Sequence, residues 1–120
     1  MIDHVTVDVS DYGRSRAFYE AALAPLGFGV VTELDGACGF GPPGVDDFWV
    51  AGGGPGGPIH IAFSAQDEKA VDGFYEAALA AGGRDNGPPG ERPQYHPGYY
   101  GAYVLDPDGN NVEAVFHRRD

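Results

Sequence analysis

Cysteine is almost absent from this sequence: Cys38 is the only one among 120 residues. A single thiol cannot form a disulfide within the chain, so the fold does not depend on an oxidising compartment. Basic residues are also scarce, with 7 lysines and arginines against 18 acidic residues and a net charge of −11. Such a negative surface repels nucleic-acid phosphates and anionic lipids, so neither nucleic acid nor a membrane surface is expected as a partner.

Long hydrophobic runs are missing as well. No apolar stretch approaches the roughly 20 residues of a membrane-spanning helix, and the first residues, Met1 to His4, lack the basic and apolar segments of a signal peptide. We therefore expect a cytoplasmic protein. The length predicts one domain over residues 1–120, and 42% hydrophobic with 21% charged residues predicts a folded globule.

Glycine and proline, by contrast, are abundant, with 20 and 10 residues that cluster at 36–58, 82–98 and 106–109. Between these turn-rich segments the sequence repeats itself. Phe18-Tyr-Glu-Ala-Ala-Leu-Ala24 recurs letter for letter as Phe74-Tyr-Glu-Ala-Ala-Leu-Ala80, and His4 matches His60 at the same offset. The repeat predicts two copies of one supersecondary unit, about residues 1–55 and 56–120.

Each copy is predicted to read βαβββ. The first strands alternate as Val5, Val7, Val9 and as Ile59, Ile61, Phe63. Ser10 or Asp11 caps the first helix and Asp67 the second. The predicted helix stripes are Phe18, Ala21, Ala22, Leu26 and Val71, Phe74, Ala77, Ala78, Ala81. Later strands are expected at 28–34, 37–41 and 47–51, then at 83–87, 99–105 and 111–117, with a tight turn at 106–110 whose carboxylates serve the turn.

Alternation within the strands places three metal-capable side chains on the face away from the helices: His4, His60 and Glu113. If the two first strands meet about a pseudo-twofold axis, the two histidines meet there. Two imidazoles and a carboxylate suit Fe, Mn, Ni, Co or Zn and leave coordination positions open for a substrate. The residues alone also allow structural histidines and a solvated Glu113.

The sequence resembles the vicinal oxygen chelate superfamily, which contains glyoxalase I, extradiol dioxygenases, fosfomycin-resistance enzymes and bleomycin-binding proteins. The resemblance is carried by three segments: Asp3-His-Val-Thr-Val7 with Arg16-Ala-Phe-Tyr19; Pro58-Ile-His-Ile-Ala-Phe63; and Tyr99 to Glu113 with its Asp-Pro-Asp-Gly-Asn. It implies an α+β fold of two tandem βαβββ modules whose strands form a curled mixed sheet, a cup with the helices on its outer face.

The resemblance also implies a divalent metal held by His4, His60 and Glu113, the residues that match the ligand positions. One departure concerns the fourth strand of the first module, where Trp49 rather than a carboxylate corresponds to Glu113. The proton shuttle of glyoxalase I uses a carboxylate there, so dioxygenase-like and related chemistries stay open. Scarce cationic side chains argue against the fosfomycin-resistance branch.

Aromatic and polar residues supply the remaining candidates. His96, Tyr95 and Tyr103 are predicted to act in catalysis, His96 because imidazole moves protons near neutrality. Thr6, Phe48, Trp49 and Arg92 are expected to line the substrate pocket, and His117 is expected to be merely solvated.

Two functions follow. The first is a glyoxalase- or dioxygenase-like, metal-dependent enzyme that binds vicinal oxygens of a small organic substrate. The alternative is a metal-independent binding protein that sequesters a cationic drug or metabolite, favoured by the acidic charge and the aromatic content. A third possibility is a protein that keeps the cup-shaped fold and some of its ligands but has lost its function. A homodimer is expected, with the cup closed within one chain or across two.

Overall fold

The computed structural model describes residues 1–118 and contains two βαβββ modules, which confirms the predicted order of elements. The first module comprises β1 (Val5–Val9), α1 (Tyr12–Leu23), a 3₁₀ turn (Ala24–Leu26), β2 (Gly29–Leu34), β3 (Ala37–Gly41) and β4 (Phe48–Gly52). The second comprises β5 (His60–Ser64), α2 (Glu68–Ala80), β6 (Arg84–Glu91), β7 (Tyr99–Leu105) and β8 (Asn111–His117).

The eight strands form two four-stranded mixed sheets. Sheet 1 has the order β1-β4-β3-β2 and sheet 2 the order β5-β8-β7-β6. In each sheet the first and last strands of the module pair in parallel, and the other neighbours are antiparallel. Both β1 and β5 are therefore edge strands. On β1 the Asp8 carbonyl accepts a hydrogen bond from the amide of Gly56, which is not part of a strand.

The helices begin where the sequence predicts. Asp11 accepts a hydrogen bond from the Arg14 amide and caps α1, and Asp67 accepts one from the Ala70 amide and caps α2. After the 3₁₀ turn, Gly27 takes a φ of 87°, which a side chain would disfavour. The two helices thus start and stop on the local signals of the chain.

The core lies between the helices and the inner faces of the sheets. Val7 and Val9 of β1 are buried there while Thr6 and Asp8 are exposed, as the alternation predicts. The predicted stripe of α1 was wrong at one position: Ala21 is exposed, and Tyr19, with 1% exposure, lies in the core instead. Phe48 and Phe63 pack edge to face at 5.0 Å and join the two modules.

One strand is longer than the sequence suggests. β6 runs from Arg84 to Glu91 despite the prolines at 88 and 89, whereas the prediction ended it at residue 87. It is the edge of sheet 2, where a missing backbone N–H is tolerated. Its pairing with β7 shifts register around Gly87 and before Gly90.

Candidate functional site

The open face of sheet 2 carries a buried carboxylate, Glu113, in the middle of β8. Its side chain is on the face away from α2, and the residue is 1% exposed. His60, at the start of the neighbouring β5, donates from Nε2 to Glu113 Oε1 over 2.6 Å. The Tyr99 hydroxyl on β7 donates to Glu113 Oε2. Both oxygens of this carboxylate are therefore held by side chains from the two adjacent strands.

Gly101 makes room for the contact between Tyr99 and Glu113. A Cβ at residue 101 would lie 3.2 Å from Tyr99 Cε1 and 3.5 Å from Glu113 Oε2. The first of these distances is tighter than ordinary van der Waals contact. The sequence Tyr99-x-Gly101-x-Tyr103 thus lets one phenol lie across its own strand and reach the carboxylate.

Three tyrosines gather around Glu113. Tyr103 lies opposite Glu113 in the register of β7 and β8, and its ring centroid is 6.3 Å from that of His60. Tyr95 packs edge to face on Tyr99 at 4.9 Å. Burial, and then a hydrogen bond with Glu113, raises the pKa of Tyr99. Burial, and then a hydrogen bond with Tyr99, raises the pKa of Tyr103 well above its ordinary range, so both phenols stay protonated at neutral pH.

Beyond Tyr99 lies a pair of histidines. The His96 and His117 rings are nearly parallel, at an angle of 18°, with 2.9 Å between His96 Nε2 and His117 Nδ1. His96 Nδ1 donates to the Pro97 carbonyl, which leaves Nε2 to accept from His117. His117 is therefore engaged with a second imidazole rather than only solvated, contrary to the sequence prediction.

His4 lies on the other sheet. It precedes β1, its side chain is 56% exposed, and its Nδ1 is 2.7 Å from Asp3 Oδ1. Together with Thr6, Asp46 and Trp49 these residues line a cleft of about 260 Å³. The Trp49 ring lies over Gly39, where a Cβ would come within 2.7 Å of it.

A family model described as the Glyoxalase/Bleomycin resistance protein/Dioxygenase superfamily matches residues 1–114. The chain belongs to this superfamily. A glyoxalase/bleomycin resistance protein from Albidiferax ferrireducens is 31% identical, with 97% of this chain and 98% of that one covered and a TM-score of 0.81. No curated protein matches the sequence.

Two further solved structures share the fold of the superfamily. A glyoxalase/bleomycin resistance protein/dioxygenase family enzyme from Burkholderia phytofirmans is 20% identical, with 98% of each chain covered and a TM-score of 0.75. A lactoylglutathione lyase from Agrobacterium tumefaciens is 22% identical, with 97% of this chain and 92% of that one covered and a TM-score of 0.71. At these identities the likeness concerns the fold alone.

For this superfamily member, the residues predicted from sequence fall into three groups. His60, Glu113, Tyr95, Tyr103, His96 and Arg92 belong to the second module, and His60, Tyr95 and Tyr103 lie around the buried carboxylate of Glu113. His4, Thr6 and Trp49 share the cleft on sheet 1. Phe48 faces the opposite way from Trp49 and is buried in the core against Tyr19 and Phe63.

The metal ligands predicted for this superfamily member are only partly assembled within one chain. His60 and Glu113 bring an imidazole nitrogen and a carboxylate oxygen together, which are donors that borderline divalent ions accept. Within residues 1–118, however, no three histidine, cysteine, aspartate or glutamate side chains form a metal-binding group. His4 and His60 thus do not meet inside this chain. His60 and Glu113 are of the residue types that bind such ions, but the third predicted ligand, His4, is not beside them.

Tyr99, which was not among the predicted site residues, is in direct contact with Glu113. A signal was present, because Tyr99, Gly101 and Tyr103 alternate onto one face of β7 and the glycine leaves space beside the carboxylate.

Across residues 1–118, no helix is both long and apolar enough to span a membrane.

Proposed function

We propose that this chain is a metal-dependent enzyme whose site combines His60 and Glu113 of one copy with His4 of a second copy. The observation that carries the proposal is Glu113, a carboxylate with 1% exposure on the open face of a sheet. Burying a carboxylate is costly unless it is paired with a cation or hydrogen-bonded. Here the neighbours are one imidazole and one phenol, an arrangement suited to a carboxylate that also binds a metal.

The third ligand is the reason for proposing a homodimer. His4 stands at the start of β1 and His60 at the start of β5, and both strands are sheet edges. His4 is exposed and free to approach another molecule. A second copy that brings its sheet 1 against sheet 2 of the first would supply this imidazole, and twofold symmetry would create two such sites.

The metal would be one of Fe, Mn, Ni, Co or Zn, and it would polarise vicinal oxygens of a small organic substrate as a Lewis acid. Around it, Tyr99 would hold the orientation of Glu113 through its hydrogen bond. Tyr95 would donate a hydrogen bond to a substrate oxygen, whereas the Tyr103 hydroxyl, whose proton is directed to Tyr99, would accept one from the substrate. His96, exposed at the rim, would exchange protons with solvent.

The reaction would be a dioxygenation, isomerisation or lyase step rather than the proton shuttle of glyoxalase I. That shuttle needs a carboxylate base from the first module. The corresponding residue is Trp49, and nearby Asp46 is engaged because its Oδ2 accepts from the Thr32 hydroxyl over 2.8 Å. With its single, buried cysteine, the enzyme would work in the cytoplasm.

The test is the metal content of untagged protein purified without chelator, measured by mass spectrometry. We expect about one metal per chain in the wild type and its loss in His60→Ala and Glu113→Ala. Glu20→Gln serves as the matched control, since Glu20 is an exposed carboxylate on α1. Protein that is empty and takes up none of the five metals at micromolar concentration would contradict the proposal.

A second candidate is a binding protein for a planar cation, and the cleft on sheet 1 favours it. Trp49 offers an aromatic ring beside the carboxylates of Asp3 and Asp46, and cations are attracted both to aromatic faces and to negative charge. In that case a planar cation would bind metal-free protein, and Trp49→Ala would abolish its binding. Unchanged binding in Trp49→Ala would reject this candidate.

A further inference from the structure

Arg92 follows β6 and lies on the same open face as Glu113. Its guanidinium carbon is 5.4 Å from the centroid of the Tyr103 ring, and Tyr103 in turn lies beside His60. The residue is half-buried. Tyr103 therefore stands between a fixed cation on one side and the pair of His60 and Glu113 on the other.

The position of this guanidinium depends on two glycines of β6. A Cβ at Gly87 would lie 3.4 Å from Arg92 Nη2 and 3.0 Å from the Tyr103 ring, and a Cβ at Gly90 would lie 3.1 Å from Arg92 Nη1. Side chains at these positions would push the guanidinium off the sheet. Arg92 Nη2 also donates to the Pro88 carbonyl over 2.7 Å, which fixes the orientation of the group.

Arg92 has no carboxylate partner within 4.0 Å among residues 1–118. Arg14, Lys69 and Arg84 also lack such a partner, but Arg92 is the one whose guanidinium lies over Tyr103. A guanidinium has five N–H donors, and backbone carbonyls engage its two terminal nitrogens, one of them at 3.4 Å. The remaining donors form part of a planar fork that matches a carboxylate.

We infer that the ligand of this site is a small organic carboxylate whose anionic group binds Arg92. The inference rests on the proposed function in that it concerns the same site. The carboxylate would take the free donors of Arg92, and the rest of the molecule would extend past Tyr103 toward His60 and Glu113. A divalent metal there would add to the attraction, since two positive charges outweigh the one negative charge of Glu113.

The experiment compares three planar probes of the same shape and different charge: benzoate, benzamide and benzamidine. Calorimetric titration of the wild type should show benzoate binding at least about tenfold more tightly than either of the others, as a charge-assisted pair predicts. Arg92→Gln should remove this preference, and Arg92→Lys should keep only part of it, because an ammonium lacks the fork. Arg14→Gln, a change at an exposed position of α1, is the matched control and should behave as the wild type.

Three results would overturn the inference: benzamidine as the tightest probe, benzoate affinity unchanged by Arg92→Gln, or no benzoate binding at millimolar concentration. Repeating the titrations after chelator treatment and in Glu113→Ala separates this inference from the proposed function. An Arg92-dependent preference for benzoate in protein that binds no metal would support the carboxylate site while the metal-dependent enzyme fails. If the protein takes up metal but Arg92→Gln does not change benzoate affinity, the result would support the metal-dependent enzyme and reject the carboxylate site.

Discussion

At the residue scale, the environment of Glu113 depends on one phenol that sequence analysis did not single out. Tyr99 donates to the oxygen that His60 leaves free. Strand alternation predicted the common face of His60 and Glu113, because side-chain direction in a strand depends only on position. It did not predict which of several tyrosines would turn toward the carboxylate, because that depends on the space left by Gly101.

Tyr99→Phe should lower metal affinity about 10- to 100-fold, the usual effect of removing a group that orients a metal ligand. It should also reduce the free energy of unfolding by about 1–3 kcal/mol, since Glu113 Oε2 is left without its donor in a buried place. Urea unfolding and metal titration measure the two effects.

Tyr75→Phe is the control for this change. Its hydroxyl also donates to a carboxylate, Asp85 Oδ1 over 3.0 Å, but the contact is exposed. We expect it to leave metal affinity unchanged and to alter stability by less than about 1 kcal/mol. Equal effects of the two substitutions would show that Tyr99 does not position Glu113.

A second prediction at this scale concerns Tyr100 and alkaline pH. The Tyr100 hydroxyl donates to Asp72 Oδ1 over 2.7 Å, and this hydrogen bond, helped by burial, raises the pKa of Tyr100 from 10.0 to about 12. Because the folded-state pKa is the higher one, the contribution to stability is complete below pH 10 and is lost as pH rises from 10 through about 12.

Asp72→Asn should therefore lower the pKa of Tyr100 toward 10, as followed by the ultraviolet absorbance of phenolate in an alkaline titration. Stability measured across the same range should fall less steeply in the variant than in the wild type. Asp35→Asn, which changes a carboxylate in the turn between β2 and β3, should leave the titration curve as it is. An unchanged curve in Asp72→Asn would contradict the assignment.

At the scale of elements, the turn between β7 and β8 fastens the second module to the first. Asp106 is 2% exposed and accepts hydrogen bonds from the Asn110 amide and side chain within the turn. It also accepts one from the Tyr19 hydroxyl on α1. Asp108 accepts a hydrogen bond over 3.1 Å from the amide of Ser10, two residues before α1. The sequence predicted that these carboxylates serve the turn, but their contacts with α1 depend on packing between distant segments.

Tyr19→Phe should destabilise the protein by about 1–3 kcal/mol, because a buried carboxylate loses one of its donors. Ser10→Ala removes the exposed hydrogen bond from the Ser10 hydroxyl to Asp108 and should lower the free energy of unfolding by less than about 1 kcal/mol. Chemical unfolding of both variants measures the difference. A larger loss in Ser10→Ala would mean that the exposed contact, and not the buried one, holds the modules together.

At the scale of the whole molecule, the internal repeat predicted the most. It indicated two βαβββ modules with nearly all of their strands in place, because each module carries its own caps, turns and alternating strands. How the two sheets meet was not predictable, since that depends on surfaces between modules rather than on local pattern. Within one chain, His4 and His60 belong to different sheets. Whether His4 comes close to Glu113 therefore depends on how two copies of the chain assemble.

The proposed dimer makes a quantitative prediction about mixed assemblies. His4→Ala and His60→Ala should each lose metal binding when purified alone, because every site then lacks one ligand. When the two are unfolded and refolded together, a mixed dimer has one site with both substitutions and one intact site with neither. Random pairing makes about half of the dimers mixed, so about one quarter of the wild-type metal content should return.

This recovery separates a site shared between chains from a site closed within one chain. If His4 and His60 of the same chain held the metal, every chain in the mixture would lack one ligand, and metal content would stay at background. His4→Ala refolded with Glu113→Ala should recover metal as the first pair does, because His60 and Glu113 lie together on sheet 2. His60→Ala refolded with Glu113→Ala should recover none, since both changes then damage the same half of the site.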